Sequence, residues 1–164
     1  MFPKFDDVVT AIEDLIGRGL VRDYAVFGSI AQMFWDEAIP TWDLDVLVLL
    51  GGPQGRLIDM TPIFDWAREN GYEIVEDHIR IGEIPVQFVP APTPLHEEAI
   101  QNAATRPASG ASVRVVRPEY LIATWLQPPA NNPVRRERAA RLREYAQIDQ
   151  QLLNSLLERY GLSW

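Results

Sequence analysis

Tyr24-Ala25-Val26-Phe27 runs directly into Gly28-Ser29 and then Ile30-Ala31-Gln32-Met33-Phe34-Trp35, and thirteen residues separate Ser29 from Asp43-Leu44-Asp45-Val46-Leu47-Val48-Leu49-Leu50. The first stretch reads as a short buried strand, a tight turn and a short helix. The second is apolar and rich in β-branched residues over strand length, the composition of a central strand covered on both faces. A polar turn around Ile39-Pro40-Thr41 precedes it and Gly51-Gly52-Pro53-Gln54-Gly55 ends it.

Outward from this centre, Asp6 and Asp7 lead an apolar stripe at 8, 9, 12, 15 and 16, helical spacing with acid at the positive end of the dipole, stopped by Gly17 and Gly19. Thr61-Pro62 predicts a capped helix to about Asn70, followed by a strand over Tyr72 to Val75. Ile79-Arg80-Ile81, a Gly82-Glu83 turn and Ile84 to Val89 alternate as a hairpin does. Thr93-Pro94 caps a helix to about Ala104, and Val113 to Val116 is the last predicted strand. Pro118 opens a helix with Leu121, Ile122, Trp125 and Leu126 on one side, and two further amphipathic helices fall at 134–146 and 149–160. Pro, Ala and Ser gather at 90–94, 105–112 and 127–133, where loops are expected. The pattern predicts an α/β (α+β) chain with a mixed sheet flanked by helices. Residues 1–117 form its core and 118–164 a helical extension packed on that core as one compact unit.

Composition bounds the function. At 164 residues, with 47% hydrophobic and 23% charged, the chain can build an ordinary core without metal or disulfide staples. It has no cysteine, which excludes disulfides, thiolate metal sites and a Cys nucleophile; a cytoplasmic location is the simplest reading. A net charge of −8 argues against bulk DNA binding, because such a field repels a long polyanion. The start, Met1 to Asp7, carries acid where a signal peptide needs base, and no apolar run approaches a membrane span. Gly-x-Ser-x-Gly, Walker A and Gly-x-Gly-x-x-Gly motifs are absent.

A strand that delivers Gly28-Ser29 to a helix start makes an anion site, because the first amides are unpaired and glycine admits phosphate to the backbone. Such a turn equally serves as a plain cap. Asp43 and Asp45 share one face of their strand, with Cα atoms roughly 6.6 Å apart, so both carboxylates can converge on one cation. A Mg²⁺ carrying nucleotide phosphates would offset their repulsion; a solvated strand end with Asp43 capping a turn is the other reading.

Taken together, Val26-Phe27-Gly28-Ser29 and Asp43-Leu44-Asp45-Val46-Leu47-Val48 resemble the nucleotidyltransferase superfamily, the fold of DNA polymerase β and of minimal nucleotidyltransferases. The resemblance implies phosphate contact by Gly28 and Ser29 and metal ligation by Asp43 and Asp45. It implies Mg²⁺ (or Mn²⁺) as cofactor, a nucleoside triphosphate as substrate, and transfer of NMP to a hydroxyl of an RNA, protein or small-molecule acceptor. The family's third carboxylate comes from a later strand, where Ile84-Pro85-Val86-Gln87-Phe88-Val89 places Gln87. A neutral amide can bind through its oxygen but cannot act as a base. Gln87 is thus either a nucleotide-site residue or a polar group hydrogen-bonded at a sheet rim. Glu73, Glu76, Asp77 and Glu83 are nearby acids, and spacing does not choose among them.

The order Ile84 to Phe88, Leu95 to Ala103, then Val113 to Ala123 with Arg117-Pro118-Glu119-Tyr120-Leu121-Ile122-Ala123 also resembles nucleotidyltransferases grouped with AbiEii-type toxins. Those relatives carry a lysine one turn into the helix where this chain has Trp125-Leu126. The departures at Gln87 and Trp125 imply an alternative: a degenerate member that binds nucleotide and acts as a regulatory partner, of a second protein or of its own copy, as in a toxin–antitoxin pair.

Arg135, Arg136, Arg138, Arg141 and Arg143 would spread round more than one helical face, either as local ion pairs with Glu137 and Glu144 or with one or two turned to the cleft. Trp66 and Trp125 read as core, while Trp35 and Trp42 flank the cleft and could line a base pocket. His78 and His96 read as surface or hairpin residues, lacking zinc-site spacing.

Overall fold

The computed structural model describes residues 4–36, 43–52, 58–128 and 132–164. The turn at Ile39-Pro40-Thr41 and the Trp42 side chain fall outside them. Among the described residues seven strands form one mixed sheet and seven helices flank it.

Helix α1 (Asp6–Gly17) leads to β1 (Val21–Phe27), which passes without a loop into α2 (Gly28–Met33). Next are β2 (Leu44–Leu50), α3 (Thr61–Glu69) and the strands β3 (Glu73–Val75), β4 (His78–Ile81) and β5 (Ile84–Pro90). Helix α4 (Pro94–Gln101), β6 (Ala104–Ala108) and β7 (Ala111–Val115) complete the sheet, and α5 (Pro118–Leu126), α6 (Pro133–Tyr145) and α7 (Gln150–Tyr160) follow. The strand order is β3-β4-β5-β2-β1-β7-β6, which puts the apolar run of β2 in the middle as its composition demands.

Register positions the site. β2 runs antiparallel to β1 with Phe27 opposite Asp45, and parallel to β5 with Asp45 opposite Gln87. Paired residues project to the same side of a sheet, so Phe27, Asp45 and Gln87 share one face. Helix α4 lies over that face, with the His96 ring edge-on to Phe27 at 5.7 Å. Leu44, Val46, Leu47 and Val48 are fully buried beyond Asp45, in a core that also takes Ala25 and Val26 from β1 and Val86 from β5.

Three local expectations are corrected. Residues 104–108 form edge strand β6, paired antiparallel with β7, rather than part of a helix and a loop. Pro107 is tolerated because an edge strand has one unpaired side. Helix α5 is buried on every side rather than along one stripe, because α4, α6 and α7 all pack around it. At α3 the cap position is Met60, and the Thr61 amide donates instead to Asp59 Oδ1 at 3.0 Å.

One polar cluster ties α4 to the later helices. The Glu98 carboxylate accepts two hydrogen bonds from Arg159, at 2.9 and 2.8 Å, and one each from the Tyr120 and Tyr160 hydroxyls, at 2.7 and 2.9 Å. The Arg159 guanidinium, followed by the two hydroxyls, lowers the Glu98 carboxyl from 4.5 to about 2. A depressed carboxyl stabilises the fold above its unfolded value, so this contribution is complete above pH 4.5 and lost as pH falls toward 2. Glu98→Gln should therefore cost about 1–3 kcal/mol in denaturant titration at pH 7 and flatten that acid limb. An unaltered pH profile in the variant would show that the cluster contributes nothing.

Candidate active site

The extended backbone of Phe27 (φ −131°, ψ 180°) delivers Gly28 to the first position of α2, where φ is +67°. A Cβ built on Gly28 would stand 2.6 Å from Asp45 Oδ2. The turn therefore lies directly against the Asp45 carboxylate, and only a residue without a side chain permits both the left-handed backbone and the approach. Ser29 follows, half-buried, on the exposed-amide end of α2. The glycine-serine turn and the aspartate strand meet in one place because β1 and β2 are hydrogen-bonded neighbours.

Asp45 is half-buried, and among the described residues no group donates it a hydrogen bond. Burial, and then the neighbouring Asp43, raise its carboxyl above the usual 3.8, with Asp77 adding to the push; His78 and Arg138 pull the other way. Asp43 is more open, its side chain 56% exposed, with His78 Nε2 at 3.6 Å from Oδ2. The other ring nitrogen of His78 lies 3.0 Å from Asp77 Oδ1.

Gln87 Nε2 donates to Asp77 Oδ2 at 2.7 Å. Four acids were open as neighbours of this position, and the structure separates them. Asp77, at the turn between β3 and β4, is held beside Gln87, whereas Glu73 lies 3.6 Å from Arg80 and Glu76 and Glu83 occupy exposed left-handed turn positions. Asp77 acquires its place through the β4–β5 hairpin, so no spacing in the sequence signals it.

Two further elements bear on the site. Arg138, from α6, lies close enough to Asp45 to favour its charged form. Arg135 acts on His96, whose ring is held down to about 4 from 6.5 by burial first and by that guanidinium second. His96 Nδ1 lies 2.7 Å from Thr93 Oγ1, so this histidine is a half-buried, neutral packing group behind Phe27 rather than a surface residue. The remaining α6 arginines are spread as their spacing implies: Arg141 pairs with buried Asp36 at 2.6 Å and Arg143 covers the Trp164 ring at 4.5 Å. Trp66 and Trp125 are core residues, 2% and 5% exposed, while Trp35 is held by a 2.9 Å bond from Nε1 to the Val116 carbonyl.

The donor set suits a hard divalent cation of low protein coordination. Among the described residues no group of three or more His, Asp or Glu is arranged as a metal cage. Two adjacent carboxylates, one of them half-buried and, among the described residues, without a hydrogen-bond donor, match an ion that keeps several waters and takes its remaining ligands from substrate phosphates. No described helix is long and apolar enough to cross a membrane.

No protein-family model matches the sequence, and no curated protein matches it. Solved structures do. An antigenic nucleotidyltransferase-like protein from Paracoccidioides brasiliensis superposes with a TM-score of 0.52 at 15% identity, over 93% of this chain and 85% of its own. The solution structure of the antibiotic-resistance factor ANT(2'')-Ia gives 0.48 at 17% identity, over 94% of this chain and 89% of that one. A crystal structure of ANT(2'')-Ia in complex with adenylyl-2''-tobramycin gives 0.48 at 17%, over 93% and 96%. The chain has the nucleotidyltransferase fold, as the first of these likenesses shows.

Proposed function

We propose that this protein is a nucleotidyltransferase that binds a nucleoside triphosphate with Mg²⁺ or Mn²⁺ and transfers NMP to an acceptor hydroxyl. The observation that carries the reading is the contact of the Gly28 turn with Asp45, whose partly buried carboxylate lies among Asp43, Asp77, His78 and Arg138. Gly28 and Ser29 bring backbone amides to the triphosphate. Asp43 and Asp45 hold the cation, which when bound draws negative charge off the phosphates and lowers the pKa of an oxygen ligand.

In the transfer step the acceptor oxygen forms a bond to the α-phosphorus as the bond to the bridging α–β oxygen breaks and pyrophosphate departs. The hydroxyl proton needs an acceptor, and Asp77 supplies a carboxylate where Gln87 cannot. Gln87 positions that carboxylate through its amide N–H, donating at 2.7 Å. His78, between Asp77 and Asp43, fixes the hairpin turn against the strand end.

The division of labour between Gln87 and Asp77 is testable by exchange. Asp77→Asn should lower transfer by roughly 10²–10⁴-fold. Adding Gln87→Glu to that variant returns a single carboxylate to the pair and should restore most of the loss. Calorimetric titration with Mn²⁺ and a non-hydrolysable ATP analogue gives a second readout, which Asp43→Asn and Asp45→Asn should weaken most. Nucleotide affinity without transfer in the unmodified protein would turn the reading toward a binding or regulatory protein of this fold.

A further inference from the structure

A second cavity, of about 450 Å³, opens beyond the far end of α2, between β6, the start of α5 and the α6–α7 junction. None of Gly28, Asp43, Asp45, Asp77 or Gln87 lines it. Its wall at Trp35 is about 10 Å from Gly28 along the rise of a helix.

Its chemistry is built from a few fixed groups. Phe34 and Trp35 supply an aromatic wall, and the bond from Trp35 Nε1 to the Val116 carbonyl locks the indole in place. The Arg106 guanidinium rides over that indole at 5.0 Å, and among the described residues no carboxylate meets it. Arg117 supplies a second guanidinium, with Nε 3.3 Å from Glu119 Oε1. Glu119 is 2% exposed; its Oε2 accepts the Asp149 amide at 3.0 Å, while Oε1, beyond the Arg117 ion pair, receives no hydrogen bond from the described residues.

Ion-paired with Arg117 but hydrogen-bonded by no described group, the buried Glu119 Oε1 keeps lone pairs for a ligand N–H, and a guanidinium stacked on an aromatic ring is a ready oxyanion receptor. A volume of this size is that of a small-ligand pocket. We propose that this cavity binds a planar heteroaromatic anion: its ring lies along Phe34 and Trp35, its oxyanion meets Arg106 and Arg117, and an N–H of the ring edge donates to Glu119 Oε1. That is the chemistry of a purine nucleoside monophosphate, held at a site separate from the aspartate trough.

Calorimetric titration of the full chain in EDTA with GMP, AMP, ribose 5-phosphate and inorganic phosphate tests this. One or both nucleotides should bind, at least tenfold more tightly than ribose 5-phosphate or phosphate. Arg106→Glu, at an exposed strand position where folding is undisturbed, should weaken binding by about tenfold or more, and Glu119→Gln should weaken the nucleotide but not ribose 5-phosphate. Asp45→Asn should leave binding unchanged, which separates this site from the trough. The proposal is overturned if no nucleotide binds, if ribose 5-phosphate binds as tightly as the nucleotides, if Arg106→Glu has no effect, or if Asp45→Asn alone abolishes binding.

Discussion

Asp45→Asn is expected to lower Mg²⁺-dependent transfer by about 10³-fold while leaving the metal-free protein as stable as before, or more so. The two halves have one cause. The carboxyl is raised above its ordinary value by burial and by Asp43, so its ionised form opposes folding. A carboxyl whose folded value lies above its unfolded one favours the fold at low pH, and this contribution is lost as pH rises through the raised value. At neutral pH the wild-type chain therefore carries a local repulsion that a bound cation relieves and that asparagine removes outright. Turnover assays beside metal-free thermal melts check both. Transfer that persists within tenfold of wild type would falsify the assignment of Asp45, and a melt that collapses with the activity would make it structural.

Gly28→Ala is expected to lose activity out of proportion to stability. Placing a side chain at φ +67° costs about 1–2 kcal/mol. The new Cβ also falls 2.6 Å from Asp45 Oδ2, so the carboxylate must swing aside. The far end of a side chain moves cheaply in folding energy, but a shift of about 1 Å in a reacting constellation can cost 10²-fold in rate. Comparing denaturant midpoints with single-turnover rates separates the two. Ser29→Ala, which keeps the backbone amides, should fall well short of Gly28→Ala; equal losses would mean that the turn's geometry is not what matters.

Most strands were readable because each carries its own signal: the apolar run of β2, the alternation of β4 and β5, the glycine at the end of β1. The misread segment, 104–108, contains proline and sits at the sheet edge, where pairing partner rather than composition makes a strand. The stripe assigned to α5 failed for a related reason. Periodicity reports one apolar face, whereas a helix enclosed by three others is apolar all round.

The sequence by itself determined that Gly28-Ser29 ends a strand and that Asp45 lies at the start of an apolar strand, since both depend only on neighbours along the chain, while the resemblance alone marked Gln87 as standing where an acid was expected. Tertiary structure alone decided that Gly28 touches Asp45, that Asp77 stands beside Gln87, that Arg138 reaches the trough, and that Arg106 and Glu119 share a second cavity. Each of these is a meeting of segments distant in sequence, and the strand order, the hairpin register and the packing of α5 to α7 create it rather than any local pattern of residues.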